Sequence, residues 1–344
     1  MSRNAGEERS AEPPPQDVFH VQRDEAYLKL LQQEAEFWDN RTEMLAGAGF
    51  PAAQRYLNER MTGDPDREWF QTISDHGPFR NGCILGASNG HVETELLSKN
   101  PDLHLTIYDI SADALARLHA RLEAEYPGRS DVRNQDLNFI SLPAATYDLF
   151  IAEAAIHHLV NLEHVACQIN QSLNADGLFF MLEVVSESKF QFSERKKRLF
   201  QALMNAIDED SRRAGPIDWP DPDRWSLFSP FECARSGEIL DIFARHLEPV
   251  STRTAWALAE LMLFTGRWDL PPANGYRLPG LRKLRRAAAA LRKKLRRPPD
   301  LDSPEARAKG ELLFELDAIA CDTGYLQPGL AFVTYRKRAA EPAT

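Results

Sequence analysis

The amino-acid sequence predicts an α/β protein: a doubly wound sheet with helices ahead of its first strand and an insertion-rich C-terminal half. Three observations carry this. An apolar run, Asn81-Gly82-Cys83-Ile84-Leu85, breaks into the small-residue turn Gly86-Ala87-Ser88-Asn89-Gly90, and a helical pattern follows at once. The next strand, Leu103–Asp109, alternates and ends on a carboxylate. Strand and helix patterns then continue to alternate as far as Val185. Strand, glycine turn, helix, strand and acid is the order of a nucleotide-binding βαβ unit. The glycines let the backbone approach a ligand, and the acid is placed to accept from ribose hydroxyls.

Taken in order, residues 1–16 are polar and proline-rich, with too little apolar surface to offset the entropy of ordering them. Helical spacing of Tyr27, Leu28, Leu31, Ala35 and Trp38 predicts a helix over Asp24–Asn40. Two more follow at Ala52–Met61 and Arg67–Ser74, so that residues 17–79 form a helical cover over a cleft or over a sheet edge.

Residues 80–185 form the core. Strands are expected at Cys83–Gly86, Leu103–Asp109, Asp131–Gln135, Tyr147–Glu153 and Leu178–Val185. Their helices are expected at Val92–Lys99, from Ser111 to about Tyr126, and from Leu162 to Leu173; Ser111 is the N-cap of the second. Asn174-Ala175-Asp176-Gly177 reads as a turn, and the fifth strand is apolar enough to be buried on both faces. Beyond Ser186 the pattern changes to a long polar helix at Lys189–Arg213 and a Pro-, Asp- and Trp-rich loop at Gly215–Pro230. A helix at Ser236–His246, a strand at Leu247–Arg253, a helix at Pro304–Thr323 and a strand at Leu330–Arg336 complete residues 186–344.

The bulk properties narrow the function. A net charge of −10 argues against nucleic-acid binding over the whole surface. Cys83, Cys167, Cys233 and Cys321 form no Cys-x-x-Cys pair, so neither a zinc site nor a disulfide framework is suggested. With no signal-peptide pattern and no membrane-spanning apolar run, a reducing cytoplasm is the expected compartment.

The order of parts resembles that of the class I S-adenosylmethionine-dependent methyltransferases, whose Rossmann-like sheet has seven mostly parallel strands, the last of them antiparallel. The resemblance covers Arg80–Arg253 and the strand at Leu330–Arg336. It implies a cofactor turn at Gly86, Ala87, Ser88 and Gly90, a ribose-binding acid at Asp109 with Ile110 on the adenine face, and an adenine-binding acid at Asp136 beside Leu137. Glu153–Leu159 and Asp176-Gly177 also fit the family pattern. Two positions depart from it: Ser88 stands where the family has a glycine, and Ile84 where it has an acid that anchors the turn. The segment Phe228–Leu240 is similar to bacterial methyltransferases that modify glycans and secondary metabolites, which implies an oxygen acceptor.

Methylating a hydroxyl benefits from a general base, and the carboxyl ends of the fourth and fifth strands are where one belongs. His157 and His158 follow the fourth strand and are the candidates, since a histidine near neutral pKa suits an alcohol. Glu153 is expected to line the cofactor site, and Glu183 either faces the acceptor or is buried structurally. Trp219, Trp225, Phe228 and Phe231 form either an acceptor wall or the loop's own small core. Leu281–Arg297 carries nine Lys or Arg around a leucine stripe, the composition of a basic amphipathic helix able to touch an anionic membrane weakly, to hold a phosphorylated acceptor, to contact RNA, or simply to be solvated. The favoured function is O-methylation of a glycan or small metabolite. N-methylation and a non-catalytic cofactor-binding scaffold stand as alternatives.

Overall fold

The structure, a computed structural model, describes residues 22–39, 51–87, 89–207, 212, 215–217, 219, 229–265 and 304–339. Its frame is one seven-stranded sheet: β1 (Asn81–Leu85), β2 (His104–Asp109), β3 (Ser130–Asn134), β4 (Tyr147–Glu153), β5 (Leu173–Val184), β6 (Leu247–Ala255) and β7 (Leu330–Lys337). The spatial order is β3-β2-β1-β4-β5-β7-β6. The first five strands pair in parallel, and β7 runs antiparallel to both β5 and β6.

The central strands are continuous apolar runs because helices cover both faces. Leu85, Phe150, Phe179 and Met181 pack into one buried cluster with α5 (Leu162–Ser172) and the helix over Ile239–His246. Ile84, Leu149, Ile151 and Phe180 pack into the other with α3 (His91–Lys99) and α4 (Ala112–Glu125). The α4 helix begins where Ser111 Oγ accepts the Ala114 N–H at 3.0 Å, and it buries Leu115, Leu118 and Leu122.

The expected elements are present with small shifts in their ends, and four differ in kind. Asn174–Gly177 bulges out opposite Asp148 instead of separating α5 from the strand, because Leu173 already pairs with Tyr147. The polar helix is α6, Glu194–Ile207; ahead of it Lys189 and Phe190 take positive φ in a short turn, where Lys189 N–H bonds the Cys233 carbonyl. Arg67–Ser74 gives way to a 3₁₀ segment, Trp69–His76, and Ser236–Glu238 forms a 3₁₀ turn before its helix. In the first helix, α1 (Glu25–Asp39), Leu28 points outward and is 45% exposed, while Glu34 is buried.

Two further helices, α2 (Pro51–Thr62) and Pro304–Asp322, flank β6. Trp219 packs against Phe192 and Phe200 in a separate cluster, so it belongs to the C-terminal half's own core. Trp225, Phe228, the tail at 1–16 and the basic stretch 281–297 lie outside the described residues. Among the described residues no helix is long and apolar enough to cross a membrane.

Candidate functional site

At the carboxyl ends of β1, β2 and β4 lies a cavity of about 330 Å³, roofed by α1. Gly86, Ala87, Asp109, Ile110, Asp136, Leu137, Glu153 and His158 line it. Gly90 does not; it caps α3 in a left-handed conformation. Ser88 lies outside the described residues.

The turn after β1 needs its first glycine. Gly86 has φ +93°, and a Cβ there would stand 2.5 Å from the Ala155 Cβ. Asp109 holds the same turn: Oδ2 accepts the Ala87 N–H and Oδ1 the Ser111 N–H, both at 2.6 Å. Ile84 is therefore no gap in the turn's anchoring, because Asp109 supplies a carboxylate from the neighbouring strand while Ile84 packs in the core. Burial raises the Asp109 carboxyl above its ordinary range despite these backbone donors.

Asp136 accepts the Tyr27 hydroxyl on both oxygens at 2.9 Å. The Tyr27 ring packs edge-on to Phe139 and stacks on Phe231, so this end of α1 is clamped between two loops. Glu153 pairs through Oε1 with His91 Nε2 at 3.4 Å, and that contact raises the His91 pKa. Its other oxygen, Oε2, is buried with no hydrogen-bond partner among the described residues.

Each of the two histidines has a carboxylate near both ring nitrogens, and His158, not His157, lines the cavity. His157 is 5% exposed, and its Nδ1 lies 3.0 Å from Oε2 of Glu183, a fully buried carboxylate on β5 that also accepts the Ile156 N–H. Facing a carboxylate, Nδ1 is the donor in that contact, and Nε2 lies 3.6 Å from Glu232 Oε1. His158 has a carboxylate at each nitrogen: Glu34 Oε1 at 3.1 Å from Nδ1 and Glu232 Oε2 at 3.9 Å from Nε2. Burial lowers the His158 pKa, but Glu232 and Glu34 outweigh it and push it up to about 9.

Glu34 was not visible as a site residue from the pattern alone. It is 3% exposed and collects the Trp38 indole N–H at 2.7 Å, the Ser229 hydroxyl at 2.9 Å and the Phe231 N–H at 3.3 Å as well as His158. Its spacing was the available signal: Glu34 falls three residues after Leu31 and four before Trp38, an acid on an apolar stripe. Arg121, on the cavity wall, donates to the Asn89 carbonyl at 2.7 Å.

An adenosyl cofactor fits these residues. The carboxylates of Asp109 and Asp136 and the orphaned Glu153 Oε2 are acceptors for its hydroxyl, amino and ammonium groups, and the Gly86 turn leaves backbone space beside them.

A protein-family model described as a methyltransferase domain matches residues 84–179. The chain is similar to a ubiquinone/menaquinone biosynthesis C-methyltransferase from Methylobacterium nodulans, 25% identical over 139 residues, covering 38% of this chain and 55% of the relative. It thus spans about half the length of that curated relative. Similar solved structures include geranyl diphosphate C-methyltransferase from Streptomyces coelicolor (13% identity, 90% of this chain and 98% of that one, TM-score 0.46). Another is phosphoethanolamine N-methyltransferase 2 from Haemonchus contortus (12% identity, 89% and 60%, TM-score 0.45). With the strand order β3-β2-β1-β4-β5-β7-β6 and the acid-lined cavity, the family match identifies residues 84–179 as part of a class I S-adenosylmethionine-dependent methyltransferase domain.

Proposed function

We propose that this chain methylates a hydroxyl group of a glycan or small metabolite, with His157 as general base. The observation that carries this reading is the buried pair His157–Glu183, at 3.0 Å, next in the chain to His158, which lines the cavity. A carboxylate on Nδ1 keeps the imidazole in the tautomer whose Nε2 can take a proton, and it favours the imidazolium that results. His158, with Glu34 and Glu232 at its two nitrogens, instead holds α1 and the loop after α6 over the cavity.

The cofactor residues of this proposal are Gly86, Ala87, Ser88, Asp109, Ile110, Asp136, Leu137 and Glu153, with Gly90, off the cavity wall, shaping the turn as the cap of α3. S-adenosylmethionine, when bound, supplies the methyl group as an electrophile. The chain's own tasks are to orient it, to exclude water beneath α1, and to accept the hydroxyl proton at His157 Nε2, where orientation alone is worth roughly 7–11 kcal/mol of barrier. Titration calorimetry with S-adenosylmethionine and S-adenosylhomocysteine, followed by an acceptor screen starting from glycans, tests it. No cofactor binding by the wild-type protein, or turnover that survives His157→Ala, would overturn it.

A second reading is methylation of an amine. Glu34 is a carboxylate on the cavity wall that suits a cationic acceptor, and turnover on amines but not alcohols would select it. The 281–297 stretch supports a weak contact with anionic membranes. Salt-sensitive co-sedimentation with phosphatidylserine vesicles tests that contact.

A further inference from the structure

Three buried carboxylates, Glu34, Glu183 and Glu232, crowd around the imidazoles of His157 and His158. Among the described residues no lysine or arginine lies within ion-pair distance of any of the three. Even with both imidazoles protonated the cluster keeps an excess negative charge, and buried charge of that kind calls for a counter-cation.

One corner of the cluster has the donors for it. His157 Nε2 stands 3.6 Å from Glu232 Oε1, and Cys233 Sγ stands 3.6 Å from the same oxygen. The three ligand atoms lie within 4.8 Å of one another, and all three residues are buried. A tetrahedral ion at ordinary zinc bond lengths needs ligand–ligand edges of about 3.3–3.6 Å, so two of the three edges are already in place.

Two further features agree. His157 Nδ1 is bound to Glu183, the arrangement in which a carboxylate orients an imidazole so that its other nitrogen can ligate. The Glu232 carboxylate, 9% exposed, has the Cys233 thiol, a poor donor, and two imidazole nitrogens at 3.6 and 3.9 Å around it.

We propose that His157 Nε2, a Glu232 oxygen and Cys233 Sγ bind one zinc-class divalent cation, and that its occupancy switches methyl transfer off. One nitrogen, one oxygen and one sulfur select a borderline ion over Mg²⁺ or Ca²⁺, and they leave a fourth position for water. Binding displaces the Cys233 thiol proton to solvent, together with the Nε2 proton of His157 where the imidazole is protonated. Thiolate and carboxylate then neutralise the dication, and His157 ligates as the neutral base. The switching half rests on the proposed function: the lone pair that ligates is the one that would take the acceptor's proton, so the two uses exclude each other.

The test is titration of the chelator-stripped 344-residue chain with Co²⁺ alone, followed by its absorption spectrum. One equivalent is expected to give the visible bands of four-coordinate cobalt with a near-ultraviolet thiolate-to-cobalt band, and Zn²⁺ is expected to displace it. Cys233→Ser should lose the thiolate band, and Glu232→Gln should weaken binding at least tenfold; circular dichroism checks that each variant folds. A featureless wild-type titration overturns the site, as does an undiminished thiolate band in a folded Cys233→Ser. Should that variant not fold, undiminished Co²⁺ affinity in Glu232→Gln overturns it equally.

Once an acceptor is found, saturating Zn²⁺ should suppress turnover, and unchanged turnover overturns the switch. A cobalt spectrum without any hydroxyl turnover removes the base and keeps the site. His157-dependent turnover without a cobalt spectrum removes the site and keeps the base.

Discussion

Glu34 Oε1 lies 3.1 Å from His158 Nδ1, joining the N-terminal helix to the loop at the end of β4 across the mouth of the cavity. Histidine contacts hold the Glu34 carboxyl below its usual range, although burial pulls it the other way. One side chain therefore does much of the work of closing the roof.

Glu34→Ala should release α1 while leaving the sheet folded. Removing one partner of a buried ion pair costs about 3–5 kcal/mol, and four groups on α1 and its neighbours lose their acceptor at once. Limited proteolysis is expected to cut within residues 22–39 faster than in wild type. Unchanged cleavage would place the closure elsewhere.

Asp109→Ala should weaken S-adenosylhomocysteine binding by about 10–100-fold, the loss that accompanies about 1.5–3 kcal/mol from hydrogen bonds to a charged group. The same change frees the Ala87 and Ser111 N–H groups, so part of the loss is a looser turn. Calorimetry measures it. An unchanged dissociation constant would remove Asp109 from the cofactor site.

His157→Ala should lower turnover by roughly 10²–10⁴-fold, the range of general-base contributions, with cofactor affinity kept within a few-fold. Glu183→Gln should lower turnover less, since an amide still bonds Nδ1 but favours the imidazolium less. Equal loss of turnover and affinity in His157→Ala would mean that the residue is structural.

Acid should loosen the joint between α5 and the 3₁₀ turn at Ser236–Glu238. Arg235 donates to both Glu163 oxygens, at 2.7 and 2.8 Å. Burial would raise the Glu163 carboxyl, but the guanidinium outweighs it and holds it below the ordinary value. With the folded pKa below the unfolded one, the stabilisation is complete above the unfolded pKa and is lost as pH falls through the folded one. Glu163→Gln should therefore melt lower than wild type at pH 6, and the gap should close towards pH 3. A gap independent of pH would mean that packing, not charge, is what the variant loses.

Much of the sheet could be read from the chain because its central strands, such as Tyr147–Glu153, are apolar runs bounded by turn residues, and β4 occupies the expected span. Ser111 capped its helix as its type and position implied. What could not be read was long-range. Tyr27 meets Asp136 across 109 positions and Ser229 meets Glu34 across 195, and no local periodicity encodes either contact. Helical spacing treated Leu28 as core because it is apolar, yet three carboxylate contacts to other elements, from Ser229, Phe231 and His158, turn α1 so that Glu34 takes the inside. The grouping of His157 with Glu232 and Cys233 has the same origin: the loop after α6 returns to the end of β4.

The placement of β7 between β5 and β6 carries a consequence for biosynthesis. Chain order and spatial order disagree there, because the strand made last fills the gap between two made earlier. Until about residue 330 has left the ribosome, β5 presents a bare hydrogen-bonding edge and β6 has no strand beside it. A nascent chain can assemble the half-sheet from β3 to β5, including most of the cavity wall, well before it can finish the other side. During that interval the open β5 edge is the surface most in need of a chaperone.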